Sequence, residues 1–249
     1  MTPTSIFNSF ERQGLLHQHA CQPVAIPFVA RLLDPSAFVE IRHIHHEVLR
    51  LVPEPGIVRV DTDEFFAYHL SGEGCTLGVF ADDRLIAYAI LGLPETPAYP
   101  YDHFGQDLGL PTADWFQLAQ LIGVGVLPAW RGNQLHRRLS EWRLDLARAA
   151  GKRHAAAIAS PRNPFSWRNL LAVGLRIKSF KLLPGNTLRY LLHTDLQASS
   201  PPDRTTAITV PATDTATQQE LFRQGYWGYA AAATHSATPR IRYARPRPP

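Results

Sequence analysis

The sequence contains little sulfur, with two cysteines and one methionine in 249 residues. Cys21 and Cys75 stand far apart and lack the Cys-x-x-Cys spacing of a structural metal site. Small secreted domains that depend on disulfides have many more cysteines. The cysteine content therefore excludes a disulfide scaffold and predicts a protein of the reduced cytoplasm.

Long apolar runs are also missing. No segment approaches the roughly 20 apolar residues of a membrane-spanning helix, and the start, MTPTSIFNSFERQ, lacks the basic-then-apolar order of a secretory signal. We therefore expect a cytoplasmic protein without a membrane partner. Charged residues make up 18% of the chain, hydrophobic residues 45%, and the net charge is +4. This composition is typical of a globular protein, and the positive excess is too small to require nucleic acid.

Composition and periodicity divide the chain into four parts. A polar leader at 1–23 is followed by a globular domain at 24–196. The stretch QASSPPDR at 197–204 has the composition of a linker, and 205–249 forms an extension. We predict one strand and one helix in the extension, before a Pro/Arg-rich end. The extension either covers the core or serves a homodimer.

Within 24–196 the pattern predicts the element order β-α-α-β-β-β-α-β-α-β-β. Two apolar runs at 75–93, joined by ADDR, indicate a β-hairpin. Asp61 and Asn133 are the predicted caps of the second and third helices, and DWFQLAQLIGVGVLP is the predicted fourth strand. Hairpins beside strand–helix–strand units favour an α/β fold with a mixed, mostly antiparallel sheet and helices on both faces.

The stretch VGVLPAWRGNQLHRRLSEW at 124–142 joins a strand directly to a helix through an Arg-Gly turn. Free N–H groups and the helix dipole at such a helix start favour phosphate. Gly132 allows close approach, and Arg131, Arg137 and Arg138 can surround several phosphate groups. Nucleic acid is the competing ligand for this basic helix. The apolar face of 134–150 and the lack of a preceding helix at helix-turn-helix spacing argue against it.

The segment VLPAWRGNQLHRRL resembles motif A of the GNAT family of N-acetyltransferases. In that family the fourth strand ends V-x-P-x-[YW]-R-G, before the loop Q/R-x-x-G-x-G/A and a long helix. SPRNPFSWRNLLAVGL resembles the later family segment N-x-x-[AS]-x-x-L-Y-x-x-x-G-F at Asn163, Ser166, Gly174 and Leu175. The resemblance covers about 24–196.

The resemblance implies an acyl-CoA donor, most simply acetyl-CoA, and no metal. The acyl group would pass directly to the primary amine of a small molecule in a ternary complex. Main-chain groups near Val124 and Val126 would pair with the pantetheine arm, and Asn163 would contact the cofactor beyond it. The residues implied at the pyrophosphate are Arg131, Gly132, Asn133, Gln134, Leu135, His136 and Arg137.

Three residues depart from the family pattern. Gln134 and His136 occupy loop positions where the family has small residues, and Leu170 replaces a tyrosine that often serves as general acid. These departures leave an alternative open, a catalytically silent GNAT-fold protein that binds CoA or another ligand.

The general acid and base are sought on the predicted fourth strand and in the proline-rich loop 94–113, which should border the acceptor site. A glutamine on the strand cannot take a proton but can orient an amine. The principal candidates are Asp114, Gln120, Tyr101 and His103, with Tyr99, Glu95 and Asp102 as alternatives.

The motif HIHHE at 43–47 places His43 and Glu47 one helical turn apart, as in a metal site. Zinc needs three or four ligands held by further partners, and no complementary motif is present. We therefore predict no metal site and a helix side that faces solvent or the acceptor. His45 is the predicted contact with a substrate groove.

Overall fold

The computed structural model describes residues 10–18, 24–71, 74–95, 99–101, 103–198, 200–233 and 238–247. Cys21, Asp102 and the first part of the predicted leader lie outside these residues. The strands are β1 Glu11–Gln18, β2 Val24–Leu32, β3 Gly74–Ala81, β4 Arg84–Gly92, β5 Leu118–Val126, β6 His154–Ala159, β7 Arg176–Leu183, β8 Thr187–Asp195, β9 Ile208–Pro211, β10 Trp227–Ala231 and β11 Arg240–Ala244. The α-helices are α1 Phe38–Arg50, α2 Asp63–Leu70, α3 Phe104–Asp107, α4 Leu135–Ala149, α5 Pro164–Ala172 and α6 Thr215–Arg223.

The first of two compact units comprises 1–100 and 119–152. Its strands pair in the order β1-β2-β3-β4-β5, and every pair is antiparallel. The helices α1 and α4 pack on β4, and α2 packs on β3. The predicted β-hairpin is confirmed as β3 and β4, joined through Asp82 and Asp83, which both have positive φ.

A β-bulge interrupts the pairing of β4 with β5. Ala89 lies opposite Val124 and Ile90 opposite Ile122, so Gly123 has no opposite residue. Gly123 has a φ of +53°, which lies in the left-handed region where glycine is least strained. A bulge bends its strand and increases the local twist, so it redirects the second half of β5.

The second unit comprises 101–118 and 153–249. Its strands pair antiparallel in the order β6-β8-β7-β10-β11-β9. The extension therefore continues the sheet of this unit, where Gly228 of β10 lies opposite Ile177 of β7. The division of the chain at 197–204 stays a prediction. No helix in the described ranges combines the length and apolar character needed to cross a membrane.

The predicted α/β class, with a mostly antiparallel sheet and packed helices, is confirmed. Several local predictions are wrong. β5 begins only at Leu118, because Thr112–Gln117 forms a 3₁₀ helix. The predicted leader contains β1, the predicted helix of the extension ends before β10, and its Pro/Arg-rich end contains β11.

The cap of α2 also differs from the prediction. The Thr62 hydroxyl, rather than Asp61, accepts the main-chain N–H of Phe65 at 3.3 Å. The Asp61 carboxylate is paired instead with Arg59, at 2.5 Å from its Nε. A side chain engaged in an ion pair is not available to cap the helix.

Candidate active site

The turn between β5 and α4 adopts left-handed backbone conformations at two positions. Gly132 has a φ of +85°, and Gln134, the N-cap residue of α4, has a φ of +56°. Gln134 makes no capping hydrogen bond through its side chain. The family loop has glycine at this position, and the backbone shows why, because only glycine adopts positive φ without strain.

Asn133 does not cap α4, contrary to the prediction. Its carboxamide pairs with β1, accepting the main-chain N–H of His17 and donating to the His17 carbonyl, both at 2.7 Å. It also donates to the carbonyl of Trp130 at 3.1 Å. Asn133 therefore ties the turn to the edge strand of the first unit and holds the shape that Gly132 and Gln134 require.

Unpaired main-chain N–H groups line the start of α4. In the described part of the chain, the N–H groups of 132–137 have no acceptor. The side chains of Arg131, Gln134 and Arg137 are exposed around them, and Arg137 pairs with Glu141 at 3.0 Å. Free N–H groups and the positive end of a helix dipole together form an anion site.

His136 adds no positive charge to this anion site. Its Nδ1 is buried and has no hydrogen-bond partner among the described residues. Burial, reinforced by the positive charge of Arg143, lowers the pKa of His136 to about 3. The imidazole is therefore neutral at pH 7, and it is Gln134, not His136, that points outward from the first turn of α4.

Arg143 lies fully buried on α4, beneath the bulge between β4 and β5. Its Nη1 donates to the carbonyls of Ile90 and Ile122, at 3.1 and 3.3 Å. Its Nε donates to Leu139 and its Nη2 to the Ser140 hydroxyl, each at 3.2 Å. Burial lowers the pKa of Arg143 to about 9, which leaves it charged at pH 7. The sequence pattern did not predict a role for this residue, which donates hydrogen bonds to carbonyls of both strands, β4 and β5, next to the bulge.

Gln120, Tyr99 and His69 lie together at the end of β4. Gln120 is buried on β5 opposite Gly92. The Tyr99 hydroxyl lies 2.6 Å from the point that a Cβ on Gly92 would occupy, so a glycine is needed there. Sequence reasoning named Gln120 and Tyr99 separately and gave no sign that they are neighbours.

His69 was missed by sequence reasoning, and its hydrogen bonds determine its tautomer. Its Nδ1 lies 2.7 Å from the Phe65 carbonyl, which can only accept, so Nδ1 carries the proton. Burial lowers the pKa of His69 to about 4, so at pH 7 its Nε2 is an acceptor. The Tyr99 hydroxyl, at 3.1 Å, therefore donates to Nε2.

His45 is buried and does not line a groove as predicted. Its Nε2 accepts the main-chain N–H of Asp61 at 3.2 Å, and its Nδ1 lies 3.0 Å from the Tyr88 hydroxyl. The Tyr88 ring lies over Gly125, where a Cβ would come within 2.5 Å of it. His45 thus supports β5 between Val124 and Val126. Across the described ranges, no three His, Cys, Asp or Glu side chains are grouped as metal ligands.

The remaining predicted catalytic residues lie in the second unit. Asp114 is half-buried in the 3₁₀ helix and not on β5, which corrects its predicted place. His103 caps α3, accepting the main-chain N–H of Gly105 at 3.2 Å, and its ring lies 5.1 Å from that of Trp115. Burial lowers the pKa of His103. Tyr101 is half-buried, and the catalytic roles of these residues stay predictions.

The helix α5 carries the second segment on which the family resemblance rests. Asn163 caps it by accepting the main-chain N–H of Ser166 at 3.2 Å. This bond gives a reason for an asparagine at the start of this helix. Leu170, in the place of the family tyrosine, is buried on α5.

No protein-family model and no curated protein matches the sequence, but solved structures match the fold. A GNAT-family acetyltransferase from Streptococcus pneumoniae gives a TM-score of 0.51 at 15% identity, covering 68% of this chain and 98% of that one. An N-acetyltransferase from Staphylococcus aureus Mu50 gives 0.51 at 16% identity, covering 69% and 99%. The chain has the GNAT fold.

A third similar structure is that of yncA from Salmonella typhimurium, which was solved with its cofactor acetyl-CoA. Its TM-score is 0.50 at 22% identity, and the match covers 71% of this chain and 98% of that one. At these identities the likeness defines the fold alone. The fold resemblance read from VLPAWRGNQLHRRL is thereby confirmed.

Gln134→Gly should stabilise the protein by about 0.5–1 kcal/mol, because it relieves left-handed strain that exceeds the entropy cost of glycine. Urea unfolding measures the change. Gln134→Ala keeps a Cβ at the strained position and should give no gain. Gln224→Gly is the matched control at a negative φ of −84° and should lower stability. A Gln134→Gly protein no more stable than the parent contradicts the assigned strain.

Proposed function

We propose that the chain is an acyl-CoA-dependent N-acyltransferase that transfers an acyl group, most simply acetyl, to a primary amine of a small molecule. The observation that carries this proposal is the run of free main-chain N–H groups at 132–137, at the head of a helix that follows a bulged strand. This arrangement suits the pyrophosphate of CoA. The GNAT fold supports the same chemistry by analogy.

In this proposal the donor follows the main chain of the first unit. The main-chain groups of Val124 and Val126, which come after the bulge at Gly123, pair with the pantetheine arm. The turn binds the pyrophosphate, and Arg131 provides an exposed guanidinium beside it. The contact of Asn163 with the cofactor, implied by the family resemblance, stays a prediction.

The same proposal assigns the proton transfers to Tyr99 and His69. The amine nitrogen attacks the thioester carbonyl carbon, and the carbon–sulfur bond then breaks. The Tyr99 oxygen takes the proton of the attacking amine while its own proton passes to Nε2 of His69, with which it is hydrogen-bonded. As the thiolate leaves, Tyr99 gives it the proton taken from the amine, which makes the thiol, and His69 returns its proton to the Tyr99 oxygen. Gln120, buried nearby on β5, orients the amine.

A second candidate function is a GNAT-fold protein that binds CoA without turnover. Two observations favour it. β5 has no carboxylate along its sequence LAQLIGVGV, and Leu170 is a buried apolar residue where the family often has an acidic tyrosine. Binding of acetyl-CoA without thiol release, for any amine in a broad set, would support this candidate.

Calorimetric titration with acetyl-CoA, beside desulfo-CoA, tests the donor site. Arg131→Glu reverses a charge beside the proposed pyrophosphate, so we expect affinity to fall about tenfold, near 1.4 kcal/mol. Arg84→Glu makes the same charge change on the exposed β3–β4 turn and should leave affinity unchanged. If the two variants bind acetyl-CoA with equal affinity, the pyrophosphate does not bind at this turn. Thiol release across an amine set then separates the enzyme from the silent binder.

A further inference from the structure

The second unit contains a cavity of about 380 Å³, at the C-terminal end of α5. The strands β7, β10 and β11 form its other side. Ligand sites in proteins usually start at roughly this volume. It lies at the opposite end of α5 from Asn163, and the nine residues of that helix separate the ends by about 13 Å.

The lining of this cavity is strongly basic. Arg176, Arg204 and Arg242 all border it, with Tyr229 beside them and no carboxylate among the lining residues. None of the three arginines forms an ion pair with any described residue. Three guanidinium groups around one small cavity repel one another, and a bound anion would relieve that repulsion.

Strand pairing explains how the arginines meet. Gly228 lies opposite Ile177, which places the next residues, Tyr229 and Arg176, side by side on β10 and β7. On the other side of β10, Ala230 lies opposite Arg242 of β11. The three strands thus bring Arg176, Tyr229 and Arg242 to neighbouring positions of the sheet, while Arg204 lies in the 3₁₀ helix Arg204–Thr206.

Opposing negative charge near the cavity is small. The C-terminal end of α5 contributes about half a negative charge, and Arg176 donates to the Leu175 carbonyl at 3.1 Å. Asp203, next to Arg204, is occupied by its own cap, accepting the Thr205 main-chain N–H at 3.0 Å and hydroxyl at 2.7 Å. Three full positive charges outweigh the Asp203 carboxylate and the half charge of the helix end together, so the cavity attracts anions.

Burial makes the positive charges of Arg176 and the neighbouring Lys178 less favourable. Arg176 is half-buried, and burial lowers its pKa. Lys178 lies two residues further along β7 with its Nζ 3.3 Å from the centre of the Trp227 ring, and burial followed by the charge of Arg176 lowers its pKa to about 8. Both shifts mean that burial makes the charged forms less favourable than they are in water, and a bound anion would offset that cost.

We propose that this cavity is a second ligand site, which binds a small phosphate-bearing anion between Arg176, Arg204 and Arg242. Guanidinium groups bind phosphate oxygens in a bidentate manner, and Tyr229 adds a ring and a hydroxyl for the group that carries the phosphate. The site is independent of the proposed acyl transfer.

Calorimetric titration of the full chain with inorganic pyrophosphate tests this site. The titration uses the Arg131→Glu protein, in which binding at the turn before α4 is weakened, and the same variant is the parent for every comparison. We expect saturable binding that weakens at least tenfold, about 1.4 kcal/mol, in Arg204→Gln/Arg242→Gln. Both side chains are exposed, so the fold should persist. Adding Arg176→Gln should abolish the heat.

The matched control replaces three exposed arginines outside the cavity, Arg84, Arg148 and Arg223, by glutamine. The net charge changes equally, so the control separates a site from general attraction, and it should retain the affinity of its parent. No saturable binding, or equal weakening in the control, overturns the proposal. Citrate serves as the carboxylate probe, and binding as tight as that of pyrophosphate overturns the phosphate assignment.

Discussion

Arg143→Met should lower the free energy of unfolding by about 3 kcal/mol, even though it removes a charge from the core. The substitution leaves the carbonyls of Ile90 and Ile122 without the donor that reaches them at 3.1 and 3.3 Å. An unsatisfied buried polar group costs about 1–3 kcal/mol, and two such groups set the expected loss.

The opposite effect is also physically reasonable, which makes the Arg143 experiment informative. Replacing buried charges by apolar residues of similar size is often neutral or stabilising. Here the guanidinium makes hydrogen bonds to three carbonyls and one hydroxyl, so we expect the lost hydrogen bonds to dominate. Arg143→Lys keeps a charge but not the planar fork, and should be at least as unstable as the methionine variant.

Urea unfolding of the two Arg143 variants measures these differences in the free energy of unfolding. The data are compared with one common slope of that free energy against urea concentration. The matched control is Arg148→Met, on the exposed side of the same helix, where the guanidinium pairs with Asp145 at 3.2 Å. It should change stability by less than about 0.5 kcal/mol. An Arg143→Met protein as stable as the parent would show that the bulge does not depend on the guanidinium.

The turn at 131–134 was predictable because its signals are local. An Arg-Gly pair after a proline-terminated strand indicates a turn, and Gly132 carries the positive φ that this turn needs. The family pattern also places a glycine at 134, and the structure explains that position through the left-handed backbone of Gln134. Sequence alone could not give the use of Asn133, since its partner His17 lies on a strand that the sequence did not predict.

Arg143 and His69 could not be predicted because their partners are distant in sequence. Arg143 bonds the carbonyl of Ile90, 53 residues away, and His69 bonds Tyr99, 30 residues away. Helical periodicity predicted apolar residues on the buried face of α4. Arg143 can be buried on that face because carbonyls at the bulge accept its hydrogen bonds.

The strand β11 was missed although the sequence contains a signal for it. Arg240, Ile241, Arg242 and Tyr243 alternate between polar and apolar, as a half-buried strand does, and Ile241 and Tyr243 are fully buried. The prolines and arginines around them suggested an unstructured end. The second ligand site follows from this strand, because β11 brings Arg242 to the cavity.

Tyr99→Phe should reduce the turnover number for acyl transfer about 100-fold, within the usual range for losing an acid–base group, with KM for acetyl-CoA unchanged. The substitution removes only the hydroxyl that bonds His69 at 3.1 Å. Thiol release in the steady state measures both constants. Tyr226→Phe is the matched control, since this half-buried tyrosine lies outside the proposed relay, and it should retain most of the turnover.

His69→Gln tests the proton acceptor of the relay: glutamine keeps a polar side chain but cannot take the proton that Tyr99 passes on, so turnover should fall. In the parent, burial lowers the pKa of His69 to about 4, so Nε2 accepts at neutral pH and that capacity is lost as pH falls towards 4. Glutamine has no titratable group, so the acidic decline of turnover assigned to His69 should disappear in this variant. Two results would place the proton transfers on other residues: a decline of turnover at acidic pH that persists in His69→Gln, or a Tyr99→Phe protein with the turnover of the parent. Gln120 would then orient an amine that loses its proton to water.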